Sequence, residues 1–83
     1  MIRRDIIETA YSFFHQKQRI YQYSTLDWQR DDIEYAIEEY VSTMDAELYA
    51  HLSHGRPDFL RSHTTFADDI ANAVEEMEKM MED

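Results

Sequence analysis

Apolar side chains recur along this chain at three- and four-residue intervals and nowhere alternate at period two over a useful length. The pattern predicts helices and no strands. In the first segment Ile2, Ile6, Ile7, Ala10, Tyr11, Phe13, Phe14, Ile20 and Tyr21 form a stripe covering roughly half of a helix circumference. A helix from about Arg3 to Tyr21 is expected, wide enough in its apolar face to contact two neighbours. Lys17 falls inside the stripe, where its stem can lie on apolar surface while the amine reaches water.

Ser24-Thr25-Leu26-Asp27 reads as an N-terminal capping signal, with Asp27, Asp31 and Asp32 placed to complement the helix dipole. The second helix then runs to about Met44. Its seam is Leu26, Ile33, Ile37, Tyr40 and Met44, interrupted by Arg30, which is the four-and-three spacing of a bundle. Asp45 is expected to cap a short third helix from Ala46 to about Ser53, with Leu48, Tyr49 and Leu52 inward. Gly55 supplies a left-handed terminating residue and Pro57 a stop. Phe59 and Leu60 are expected to form an anchored turn that plugs the core from the loop. Thr65-Phe66-Ala67-Asp68 has capping-box spacing, and a last helix follows from about Phe66 to the end on a seam of Phe66, Ile70, Ala73, Val74, Met77 and Met80 or Met81. Glu75, Glu76, Glu78, Glu82 and Asp83 oppose the dipole at its end, so its final turn is expected to fray. The predicted fold is all-α: a compact antiparallel bundle of three long helices plus one short helix, formed by residues 1–83 as a single domain.

Composition narrows what such a bundle can do. Hydrophobic residues make up 43% of 83 positions and cysteine is absent, so helix packing must hold the fold without disulfides or thiolate metal sites. The net charge is −10, which disfavours phosphate backbones and anionic membrane surfaces and favours a basic protein partner. The same charge also serves solubility. It is unevenly spread: residues 1–30 carry +2, residues 31–55 carry −7 and residues 56–83 carry −5. This asymmetry predicts electrostatic pairing of the first helix with the later ones. The charged start lacks the apolar core of a secretory signal. No apolar run approaches the roughly 20 residues of a membrane span, so a cytoplasmic location is expected.

The most informative candidate surface is the back of the second helix. With the direction of Ile33, Ile37 and Tyr40 as zero, Trp28 and Tyr35 point roughly 200–220° away. They lie one heptad apart and are framed by Asp31, Asp32, Glu38 and Glu39. Aromatic residues in an acidic frame suit a partner that offers Lys or Arg. The competing expectation is that another segment covers this face and both aromatics belong to the core.

A second cluster is Glu47, His51 and His54 on one face of the third helix, with His63 beyond the following turn. Imidazoles one turn apart can converge on a transition metal, although the simpler account is that Glu47 suits the helix start while His51 and His54 suit its end. Paired acids such as Asp31-Asp32 and Asp68-Asp69 point to different sides of their helices and are expected to be solvated. No catalytic motif, phosphate loop or cofactor signature is present. The expected role is therefore a non-catalytic interaction or regulatory module, without a cofactor, that binds a basic protein. The alternatives are a structural homo-oligomer, such as a homodimer, built on the last two helices, where the heptad spacing of Phe66, Ile70, Ala73, Met77 and Met80 would serve a dimer as well as a monomer, and a metal-binding domain centred on Glu47, His51, His54 and His63.

Overall fold

The structure, a computed structural model, describes residues 2–82. Four α-helices follow one another: α1 (Arg4–Tyr23), α2 (Asp27–Thr43), α3 (Ala46–Ser53) and α4 (Phe66–Met81), the last entered through a short 3₁₀ turn, His63–Thr65. The all-α bundle expected from the periodicity is the observed fold. Its extents are 38 × 23 × 19 Å, the long dimension set by α1, which at 1.5 Å per residue spans about 30 Å.

α1 is the central element, packed against both α4 and α2. Its wide apolar stripe accounts for this: Ile7, Ala10 and Phe14 are buried, and Ile6, Tyr11, Phe13 and Tyr21 pack around them. The Tyr11 hydroxyl donates to Glu78 near the end of α4 at 3.0 Å, while Tyr21 meets Phe66 at the start of α4 with ring centroids 5.0 Å apart. These two contacts make α1 and α4 antiparallel. On the other side Tyr40 of α2 stacks on Phe13 at 4.5 Å and meets Phe14 edge-on at 5.4 Å. Phe14 and Phe66 are fully buried, each contributing about 1.5–3 kcal/mol of transfer free energy. Lys17 lies with its amine 5.4 Å from the Phe13 ring, as its place in the stripe predicts. The charges of Arg3 and Arg4 reach Asp5 and Glu8 of their own segment, and the α1–α4 side chain link at Tyr11 is between a phenol and a carboxylate.

The α1–α2 connection differs from expectation. Ser24 does not start α2. It is buried, and its hydroxyl donates back to the Ile20 carbonyl at 2.7 Å, closing α1 two residues later than the stripe suggested. α2 has Leu26 at its N-cap, where the Gln29 side chain accepts from the Leu26 N–H at 3.3 Å. Leu26 therefore stands outside the seam, half-exposed, and Val41 joins Ile33 and Ile37 as the buried set of α2.

α3 forms as its caps dictate: the Asp45 carboxylate accepts from the Leu48 N–H at 2.9 Å. His54, at φ 53°, takes the left-handed position first, and Gly55 follows at φ 83°. Phe59 and Leu60 are buried as the expected plug, and Tyr49 donates to the Phe59 carbonyl at 2.8 Å.

What secures that plug is Asp69, which sequence periodicity had assigned with Asp68 to a solvated face. Asp68 is exposed, but Asp69 is 1% exposed. Its carboxylate accepts from the Leu60 N–H at 3.0 Å, from the Thr65 hydroxyl at 3.1 Å and from the Arg56 guanidinium at 2.9 Å. Thr65 consequently uses its hydroxyl on Asp69 and does not cap α4, so the capping box expected at Thr65–Asp68 does not form. Leu60 itself sits at φ 62°, a backbone state that costs a non-glycine residue about 1–3 kcal/mol and is held here by side-chain burial and the bond to Asp69.

Asp69→Ala strips Leu60 of its acceptor and leaves the strained turn unsupported; it is expected to lower the unfolding free energy by about 2–4 kcal/mol, and Asp69→Asn by about half as much. Urea titration followed by far-UV circular dichroism measures both. His54→Gly, by contrast, is expected to raise stability by about 0.5 kcal/mol, because relief of the left-handed backbone slightly exceeds the added chain entropy of glycine. An unchanged or lowered urea midpoint would contradict that expectation.

Candidate functional site

α2 packs on α1 through Ile33, Ile37 and Val41, and this fixes what its opposite face presents. Trp28 is 61% and Tyr35 64% exposed. Seven residues of helix separate them by about 10 Å along the axis, so both rings project from one side. Asp31, Asp32, Glu38 and Glu39 around them are exposed as well. The Tyr35 hydroxyl donates to Glu39 at 3.0 Å. That hydrogen bond, with the negative charges of Glu39 and Glu38, raises the phenol pKa above its ordinary value of 10.0. Neither aromatic is core, and the acidic frame is in place.

The exposed apolar surface extends beyond the pair. Ile20 is 46%, Tyr23 79% and Leu26 50% exposed, so Ile20 leaves the stripe of α1 and Leu26 the seam of α2. Both lie where the helices meet at the α1–α2 connection, past the stretch that a neighbour covers. An open groove of about 830 Å³ runs along α1 from Tyr11 and His15 past Arg19 to Ile20, Tyr23 and Gln29. It is lined chiefly by α1, with Gln29 of α2 at one end, and it carries Arg19 where the outer face of α2 is acidic. The helical stripe pattern missed it because Ile20 and Tyr23 are apolar residues of the last turn, where periodicity continues after packing stops.

The structure does not gather the four residues expected to form a histidine cluster. His51 and His54 are neighbours, with ring centroids 6.4 Å apart. The Nε2 of His51 pairs instead with Glu76 of α4 at 3.1 Å, and Glu47 lies in the first turn of α3. His63 turns the other way. Its Nδ1 lies 2.9 Å from both carboxylate oxygens of Glu34 on α2. The path of the irregular 54–62 segment decides this direction, and spacing along the chain cannot supply it. Among the described residues the group with metal-compatible spacing is Asp31, Glu34 and His63, whose ligand atoms all lie within 4.8 Å of one another. Glu34 is held from behind by the Tyr21 hydroxyl at 3.5 Å. Burial, then the charge of Glu34, raises the Tyr21 pKa.

Fold and face together define the class: an all-helical bundle with an exposed aromatic pair in an acidic frame. Compared with protein-family models, curated proteins and solved structures, the chain matches none of them.

The His63–Glu34 pair gives a measurable pH signature. Hydrogen bonding to Glu34, reinforced by its charge, raises the imidazole pKa above 6.5. A raised pKa means that the pair contributes its full stabilisation below the unfolded value of about 6.5 and loses it as pH rises through the folded value. Proton NMR titration of the ring should show a midpoint above 6.5 that returns toward that value in Glu34→Gln; equal midpoints in the two proteins would refute the pairing.

Proposed function

We propose that this chain is a non-catalytic interaction module whose α2 outer face binds a basic segment of another protein. The observation that carries the proposal is the simultaneous exposure of Trp28 and Tyr35, 61% and 64%, on one side of a helix whose inner side is fully used. Large aromatic side chains in water represent unspent apolar area, and Trp and Tyr are enriched among residues that dominate binding energy. Asp31, Asp32, Glu38 and Glu39 supply the rim, where charge steers a Lys- or Arg-bearing partner and selects against acidic ones. The net charge of −10 acts in the same sense at longer range. The acid that burial singles out, Asp69, spends its oxygens on Leu60, Thr65 and Arg56, which supports a structural role for it in place of acid–base work. No helix among the described residues is long and apolar enough to cross a membrane.

The test uses a Lys-rich amphipathic helical peptide as probe, with an acidic peptide of equal length as control. The basic peptide should quench or blue-shift Trp28 emission, and its affinity should fall as salt rises. Trp28→Ala/Tyr35→Ala, followed by calorimetry, is expected to cost about 2 kcal/mol, roughly thirtyfold in affinity, with helicity unchanged. Equal binding of the two peptides, or no loss in the double variant, would sink the proposal. Protection of Trp28 from acrylamide that grows with protein concentration alone would point instead to a second copy of the chain as the occupant. Of the α4 seam, Phe66, Ile70, Ala73 and Met77 are buried within the chain, and Met80 at its margin is half-buried.

A further inference from the structure

We propose that Asp31, Glu34 and His63 form a binding site for one divalent transition-metal ion of the zinc class. A four-coordinate zinc with bonds of about 2.0–2.2 Å separates its ligand atoms by roughly 3.3 Å. The Nδ1 of His63 is already 2.9 Å from the Glu34 oxygens, and the third ligand atom lies within 4.8 Å of both. Closing the set needs a shift of about 1.5 Å at most, available by rotation of the exposed Asp31 side chain. The donor set is one imidazole and two carboxylates, whose charge matches a divalent ion. A nitrogen donor among oxygens selects zinc, cobalt or nickel over calcium and magnesium.

The surroundings fit a site with supporting structure. Glu34 is 17% exposed at its side chain, and the Tyr21 hydroxyl behind it orients one oxygen, the kind of outer contact that fixes a ligand carboxylate. Tyr21 is in turn packed on Phe66. His63 opens the 3₁₀ turn, and the end of that turn is tied to Asp69 through Thr65. The ligands thus come from two elements that are far apart in sequence, and an ion would join α2 to the entrance of α4. Asp27 and Arg30 border the same cleft. Arg30 is drawn onto the Tyr21 ring at 5.6 Å, and Asp27 adds negative charge. Water completes the coordination. This site does not depend on the protein-partner proposal, since it is measured on the chain alone.

Calorimetric titration of the full chain with zinc chloride near neutral pH tests it, with far-UV circular dichroism confirming that each variant stays helical. One ion per chain is expected. His63→Gln and Glu34→Gln should each weaken binding at least about tenfold, and Tyr21→Phe, which keeps the ring packing, about tenfold through the outer contact alone. The control His51→Gln/His54→Gln should change affinity less than about twofold, because those rings belong to no metal-compatible group. Saturation heats that vanish in the His51/His54 control and persist in His63→Gln would overturn the proposal, as would the absence of any binding at millimolar zinc.

Discussion

The connection between α3 and α4 is closed by a single carboxylate, and much of the bundle's geometry follows from it. Asp69 holds the Leu60 amide, the Thr65 hydroxyl and the Arg56 guanidinium. With these bonds made, Leu60 keeps an unfavourable backbone angle and Phe59 and Leu60 enter the core. Four hydrogen bonds from Leu60, Thr65 and Arg56 satisfy the carboxylate, and no buried side-chain polar atom among the described residues lacks a partner. A carboxylate taken out of water is tolerated only on such terms. The turn so fixed also determines where α4 begins, and hence where Phe66 meets Tyr21 and where His63 meets Glu34.

The second organising constraint is the width of the apolar stripe on α1. One helix that buries two sides can serve as the centre of a chain too short for a layered core. α2 is then committed by one face, whereas α4 packs on both α1 and α3. The remaining surface of α4 carries Asp68, Glu75, Glu78 and Lys79 among small or polar residues such as Ala67 and Asn72. The outer surface of α2 includes Trp28 and Tyr35, and the difference between the two outer faces is what the proposed binding role rests on.

Most of the fold was legible in the sequence because each helix announces itself by period and by its neighbours. Asp45 and the Phe59–Leu60 plug act as their residue types suggest, while the left-handed place expected of Gly55 is taken first by His54. Asp69 was misread, although a signal existed: it stands three residues after Phe66 and four before Ala73, inside the seam. A charge at a seam position is a buried charge awaiting partners, and those partners lie in a loop whose path no periodicity describes. Ser24 was misread for a related reason. A serine between two helices can close the first or open the second, and its bond to Ile20 decides the matter only in three dimensions. The aromatic face of α2 was legible, being a matter of angle on one helix. The encounter of His63 with Glu34 was not, because it depends on how an irregular segment turns.

The exposure of Trp28 also has a spectroscopic consequence. The chain's sole indole already sits largely in water, so its emission changes little when the helices come apart. An intrinsic-fluorescence melt would trace a nearly flat line and could be taken for exceptional thermostability. Backbone dichroism, or the phenols of Tyr21 and Tyr40 packed against Phe66 and Phe13, would register the collapse that the indole does not see.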